Sequence, residues 1–180
     1  MHESLADYVV DLVQNSIESA ASYVLCEYRM EGDRLSVRIA DNGPGMDAET
    51  RKNALDPFYT DGVKHPERRV GLGLPFLVQM VEAVDGTWSV ESRQGRGTEL
   101  SFSVPLSHID LPPEGAVVPA MATILSFAGE YELEIRRSRR DREYRVLRSE
   151  LIEALGELES VGARTLLREY LKSQEESLHE

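Results

Sequence analysis

The sequence predicts an α/β protein: a two-layer sandwich in which a mixed, mainly antiparallel sheet carries helices on one face, followed by a small α+β C-terminal extension. Three observations predict it. Residues 98–106 alternate cleanly, with Leu100, Phe102, Val104 and Leu106 on one face and Glu99, Ser101 and Ser103 on the other, so this strand buries one side only and belongs to an antiparallel sheet. Residues 3–21 carry Leu5, Tyr8, Val9, Leu12, Val13, Ser16, Ile17 and Ala20 at three- and four-residue spacing, the stripe of a helix laid on such a face. Residues 23–30 and 35–40 alternate on either side of Gly32-Asp33, which makes them a hairpin.

Composition narrows the possible functions. A net charge of −12, with few aromatic residues, argues against a nucleic-acid partner, which calls for a basic surface. The single cysteine, Cys26, excludes an internal disulfide, and His2, His65, His108 and His179 are scattered without zinc-ligand spacing. No basic region followed by an apolar core opens the chain, and the mainly apolar stretch 116–127 is too short to cross a bilayer. The expectation is a cytoplasmic protein with no membrane span.

Taken in order, the first helix also carries a polar stripe, Asp7, Asp11, Asn15 and Glu18. Asp7 and Glu18 read as its solvated face. Asn is a weak helix former in a helix interior, so Asn15, one turn from Asp11, asks for a reason. A neutral oxygen ligand to Mg²⁺ shared with a phosphate supplies one; Asp11 is then placed to orient or deprotonate a water or hydroxyl. The hairpin runs into Asp41-Asn42-Gly43-Pro44-Gly45-Met46. This is either an ordinary Asn-Gly turn or a glycine-bearing loop that lets a ligand approach the backbone, with Asp41 accepting from an exocyclic amine such as adenine's. Asp47 N-caps a short helix over 48–55.

Residues 56–70 lose periodicity, and a loop of that length in a compact domain is either a functional lid or a plain surface loop. Thr60, Lys64, Arg68 and Arg69 are its candidate phosphate donors. Gly71-Leu72-Gly73-Leu74-Pro75 opens the next helix, whose first N–H groups form an anion site; Leu74, Leu77, Val78, Val81 and Val84 are its buried face. A strand through Trp88 and Val90, a turn at Gln94-Gly95-Arg96-Gly97 and the strand 98–106 follow.

These pieces, in this order over residues 3–106, resemble the ATP-binding domain shared by type II topoisomerases, ninety-kilodalton heat-shock chaperones, sensor histidine kinases and mismatch-repair ATPases, the GHKL superfamily. Asp11-Leu12-Val13-Gln14-Asn15 is similar to its N box and Asp41 to Gly45 to its first glycine box. Pro57-Phe58-Tyr59-Thr60 resembles its aromatic box, Gly71 to Leu74 its second glycine box and Gly95 to Thr98 its last. The second glycine box, the short lid and the closing hairpin are closest to histidine kinases and anti-sigma serine kinases. The resemblance implies ATP and Mg²⁺ as cofactors. Asn15 would hold the metal and Asp41 the adenine amine, with Thr98 helping through water. Gly43, Gly45 and Met46 would shape the adenine pocket, and Thr60, Gly71, Gly73 and Leu74 would line the phosphate path.

The chain departs from the family at Asp11, where hydrolytic members carry Glu, and no phospho-acceptor helix precedes the N box. The expectation is a stand-alone Mg-ATP-binding regulatory domain over 1–110. It acts as a protein kinase in trans on a protein partner, or else as a non-enzymatic ATP-gated switch or a slow ATPase, with the oligomeric state left open. Residues 111–180 form the extension. After Leu111-Pro112-Pro113 come a buried helix over 117–128 and an arginine-rich hairpin; its arginines either form a patch for an acidic partner or nucleic acid or, as the acidic chain favours, pair with Glu132, Glu134, Asp141 and Glu143. Two amphipathic helices close the chain, with Leu151, Ile152, Leu155 and Leu158, then Leu166, Leu167, Tyr170 and Leu171, as buried faces. Residues 172–180 read as frayed.

Overall fold

The computed structural model describes residues 3–56 and 73–179. Helix α1 (Leu5–Glu18) is followed by β1 (Tyr23–Glu31), β2 (Arg34–Asp41) and the short α2 (Ala48–Ala54). Then come α3 (Gly73–Ala83), β3 (Thr87–Arg93), β4 (Gly97–Pro105) and α4 (Val117–Leu125). β5 (Glu132–Arg139), β6 (Arg142–Leu147), α5 (Arg148–Leu155) and α6 (Val161–Ser177) complete the chain. The six strands form one sheet in the order β3-β4-β2-β1-β5-β6. Every neighbouring pair is antiparallel except β1 with β5, which run parallel from Tyr23 opposite Glu132 to Met30 opposite Arg139.

The period-2 pattern puts one face of this sheet into the core. Val24, Cys26, Val37, Ile39, Leu100, Phe102, Leu133, Ile135 and Val146 are all buried, together with Leu5, Val9, Leu12, Val13, Leu77, Val81, Ile124, Leu125, Leu167 and Leu171 from the helices. α1 packs between α3 and α4, and α4 against α6. The other face of the sheet is polar. Arg38 links Glu99 (2.8 Å) to Glu27 (2.7 Å), Arg136 links Glu27 (3.2 Å) to Glu134 (2.7 Å), and Arg145 reaches Glu134 (2.9 Å). The pairs that Arg38 and Arg136 make with Glu27 and Glu99 are partly solvated and worth at most about 1 kcal/mol each, whereas Glu134 is buried between Arg136 and Arg145; the alternation of charge leaves the face without a net sign.

The extension is continuous with the rest of the molecule, since β5 and β6 lengthen the sheet. Before them the linker turns its carbonyls onto the first turn of α1, where Leu5 N–H donates to Pro113 (2.9 Å) and Ala6 N–H to Glu114 (2.9 Å). Ser4 and Asp7 close a capping box over the same turn, so Asp7 holds the helix start as well as facing water.

Three expectations about the extension are corrected. Residues 172–178 do not fray, because α6 continues to Ser177 and Leu178 is only 5% exposed. Glu175, one turn beyond Leu171, is the reason. Its carboxylate accepts from Arg137 Nε (2.8 Å) and Nη2 (2.6 Å) and from the Tyr144 hydroxyl, and the Arg137 guanidinium lies 4.1 Å over the Tyr28 ring. The arginines therefore pair across elements, with Glu27 and Glu175 as well as Glu134, and not mainly within the hairpin. Leu166 and Tyr170 are exposed, because α6 turns Leu167 and Leu171 to the core instead.

Candidate functional site

The site forms where α1, the end of β2 and the start of β4 meet. Asp41 closes β2 opposite Thr98, and three donors from different elements hold its carboxylate. Oδ1 accepts from the backbone N–H groups of Gly43 (2.9 Å) and Thr98 (3.3 Å), and Oδ2 accepts from the Ser16 hydroxyl (2.8 Å). A carboxylate so fixed keeps lone pairs available for a further donor. Asn42 ties the same turn to the start of β1, its Oδ1 accepting from the N–H groups of Ser22 and Tyr23.

The glycine-bearing loop then passes close under the β3–β4 turn. Gly45 has φ +64°, and a Cβ there would lie 2.0 Å from the Arg93 carbonyl oxygen. Only glycine meets both conditions. Met46 N–H donates to Ser92 Oγ (2.8 Å), and Ser92 shares a hydrogen bond with Thr98 Oγ1 (2.8 Å). Thr98 is thus braced on both sides.

These residues enclose a pocket of about 220 Å³. Leu12, Ile39, Val90, Leu100, Met46 and Leu74 give it apolar walls; Asn15, Ser16, Ser19, Asp41 and Thr98 are its polar groups. Pockets for whole drug-sized ligands run from ~300 Å³ upward, so this volume suits one flat ring system, with a carboxylate at its edge to read an amine.

Asp11 sits one turn from Asn15 and meets the start of α3. A Cβ added at Gly73 would lie 1.6 Å from Asp11 Oδ2, so the carboxylate rests directly on that backbone. The substitution Gly73→Ala is accordingly expected to displace one of the two and cost about 1–3 kcal/mol, as overpacking does. In an Asp11→Ala background the same change should cost much less, a non-additivity that thermal unfolding of the four proteins reads directly.

Of the residues singled out from the sequence, Asn15, Asp41, Gly45, Met46, Leu74 and Thr98 line the one pocket. Gly43 supports it through its N–H, and Asp11 and Gly73 meet beside it. Thr60 and Gly71 lie outside the described residues, as do Lys64, Arg68, Arg69 and the expected lid. Ser16 and Ser92 were not singled out, although Ser16 holds Asp41 and Ser92 holds Thr98. Ser16 stood in the buried stripe of α1, and its position directly after Asn15 was the available signal. Among the described residues no cluster of three or more His, Cys, Asp or Glu could hold a metal ion alone. A cation at Asn15 would need phosphate oxygens and water to complete its shell.

Comparison with known proteins agrees with this geometry. Residues 2–108 match the family described as histidine kinase-, DNA gyrase B-, and HSP90-like ATPase. The sensor histidine kinase RcsC of Escherichia coli (strain K12) is 29% identical over 116 residues, which are 63% of this chain and 12% of that protein. The sensor histidine kinase AruS of Pseudomonas aeruginosa is 35% identical over 99 residues, 52% of this chain and 10% of that protein. The chain thus spans about a tenth of the length of these curated relatives. Among solved structures, the N-terminal domain of a DNA repair protein shares the fold, with a TM-score of 0.54 and 18% identity over 80% of this chain and 51% of that one. No helix among the described residues is long and apolar enough to cross a membrane. With the glycine-bearing pocket, the Asp11–Asn15 helix face and the match over residues 2–108 together, the chain belongs to the GHKL family of ATP-binding domains, as a relative of the histidine kinases.

Proposed function

We propose that this protein is a Mg-ATP-binding regulatory protein that acts as a protein kinase in trans on a protein partner. The observation that carries the reading is the pair Asp11 and Asn15, one turn apart on α1. Asn15 is in the wall of the ring-sized pocket, and Asp11 lies against the glycine that opens α3. Asp41 accepts from the adenine amine between the walls of Ile39, Leu100 and Met46, and Thr98 steadies it. Gly43 and Gly45 keep the loop close to the base. Asn15 offers a neutral oxygen to Mg²⁺, which when bound offsets phosphate charge. The N–H groups of Gly73 and Leu74 at the start of α3 would face the phosphates, and Thr60 and Gly71 are assigned to the phosphates by the family resemblance alone.

Asp11 is the base. The acceptor hydroxyl oxygen forms a bond to the γ-phosphorus while the bond to the β,γ-bridging oxygen breaks. That oxygen leaves with the electron pair on ADP, and the hydroxyl proton passes to the Asp11 carboxylate.

The test is calorimetric titration with ATP and Mg²⁺, followed in the same sample by assay for free phosphate and for phosphorylated protein. Asp11→Asn should reduce turnover roughly a hundredfold or more and leave ATP affinity within a few-fold. Asp is one methylene shorter than the Glu that hydrolytic relatives carry at this position, which favours a second reading, a non-enzymatic ATP-gated switch. Under it, the wild type gives neither product and Asp11→Asn leaves partner binding unchanged. Free phosphate alone would make the protein a slow ATPase.

A further inference from the structure

Asp11 borders more than the start of α3. On the outer side of the helix layer it also lines a groove of about 430 Å³ between α1 and α4. Half-buried Val10 and Ala120 lie deeper in this groove, and exposed Pro119 and Thr123 form its α4 bank. Asp7 and Asp11 form the α1 bank, and no described lining residue is basic. The small side chains leave a trough rather than a packed seam. α4 lies beyond the matched residues 2–108.

We propose that this groove receives a basic, hydroxyl-bearing segment of the partner protein. Its Lys or Arg side chains lie against Asp7, and its Ser or Thr hydroxyl meets Asp11. The inference rests on the kinase reading and names the substrate class for it. Two observations support it. The groove is continuous with the side chain that takes the acceptor's proton. Its charge also complements a basic segment, in a chain whose net charge is −12, and such complementarity steers encounter and excludes acidic competitors. The chemistry is the transfer written above: the segment's oxygen gains the γ-phosphorus, ADP departs and Asp11 holds the proton.

The test incubates the full chain with ATP labelled on its γ-phosphate and an array of short serine-centred peptides flanked by Lys/Arg, by Asp/Glu or by neutral residues. Two variants accompany it, Thr123→Arg and Thr123→Glu. Thr123 does not line the ring-sized pocket, and its hydroxyl bonds the Pro119 carbonyl of its own helix (2.9 Å), so calorimetry should show unchanged ATP affinity in both. Basic peptides should take the label preferentially. Thr123→Arg should cut their labelling roughly tenfold, and Thr123→Glu should keep it. Preferred labelling of acidic peptides, or labelling indifferent to Thr123→Arg, overturns the docking inference and leaves the kinase reading standing. ATP binding without label on any peptide overturns the kinase reading and this inference with it.

Discussion

Asp41→Asn should weaken ATP binding roughly 10- to 100-fold, the range for losing a hydrogen bond to a charged group, and leave the protein folded. The stability half follows from the three donors on Asp41. An asparagine oxygen at the Oδ1 position still accepts from Gly43 and Thr98, and the Ser16 hydroxyl, now 2.8 Å from a carboxylate oxygen, can rotate to accept from the new amide. The binding half follows from the same replacement. The atom facing the adenine amine becomes a donor opposite a donor, in a pocket walled by Ile39, Leu100 and Met46 where water compensates poorly. Calorimetry at fixed Mg²⁺ measures the first and thermal unfolding the second. An Asp41→Asn protein that bound ATP as tightly as its parent would place the base somewhere other than this pocket.

The largest stability effect is expected at Arg137, where Arg137→Met should cost about 3–5 kcal/mol, the penalty for breaking a buried ion pair from one side. Arg137 is 4% exposed and bonds Glu175 through two nitrogens. Without it Glu175 keeps a buried charge with only the Tyr144 hydroxyl to satisfy it. The effect also has a sign in pH. Burial pushes Glu175 upward, but the Arg137 guanidinium, helped by Tyr144, holds it net below the ordinary carboxylate range. In the wild type this pair therefore stabilises above the unfolded-state value, and the contribution fades as pH falls through the lowered one. In Arg137→Met burial is opposed only by the Tyr144 hydroxyl and the nearby His179, so Glu175 rises relative to the wild type and acid costs the variant less stability. The gap between the two proteins in urea midpoint should narrow on acidification. A gap independent of pH would mean that Arg137 does not act through its pair with Glu175.

Much of the architecture was legible because one-sided burial writes itself as periodicity. The stripe of α1, the β1–β2 hairpin and the alternation of β4 each follow from a face that must be apolar. Strand neighbours leave no such trace. Tyr131, Leu133 and Ile135 announce a strand, but nothing local says that β5 lies parallel to β1. α6 was cut short for a related reason. Leu167, Leu171 and Leu178 share a face, and Glu175 interrupts it where an apolar residue was expected, so the partner that makes a buried carboxylate acceptable lay outside any window read along the helix. At the site, residues with unusual backbone demands or unusual placement, Gly45, Asn15 and Asp41, stood out. Ser16 and Ser92 did not, since a serine in a helix stripe or a strand looks the same whether or not its hydroxyl braces a ligand-binding group.

The parallel pairing of β1 with β5 bears on how the chain emerges from the ribosome. Tyr23 meets Glu132, so β1 waits for roughly a hundred further residues of synthesis before its second edge is covered, and such distant pairings close late. Until then the hairpin and β4 can assemble, with β1 as their outermost strand and one row of its backbone groups open. The alternating charges of Glu27, Arg29 and Glu31 along that strand are the kind of residues that discourage a stray strand from pairing there. The nascent domain thus carries its own protection through the interval in which its last neighbours are not yet made.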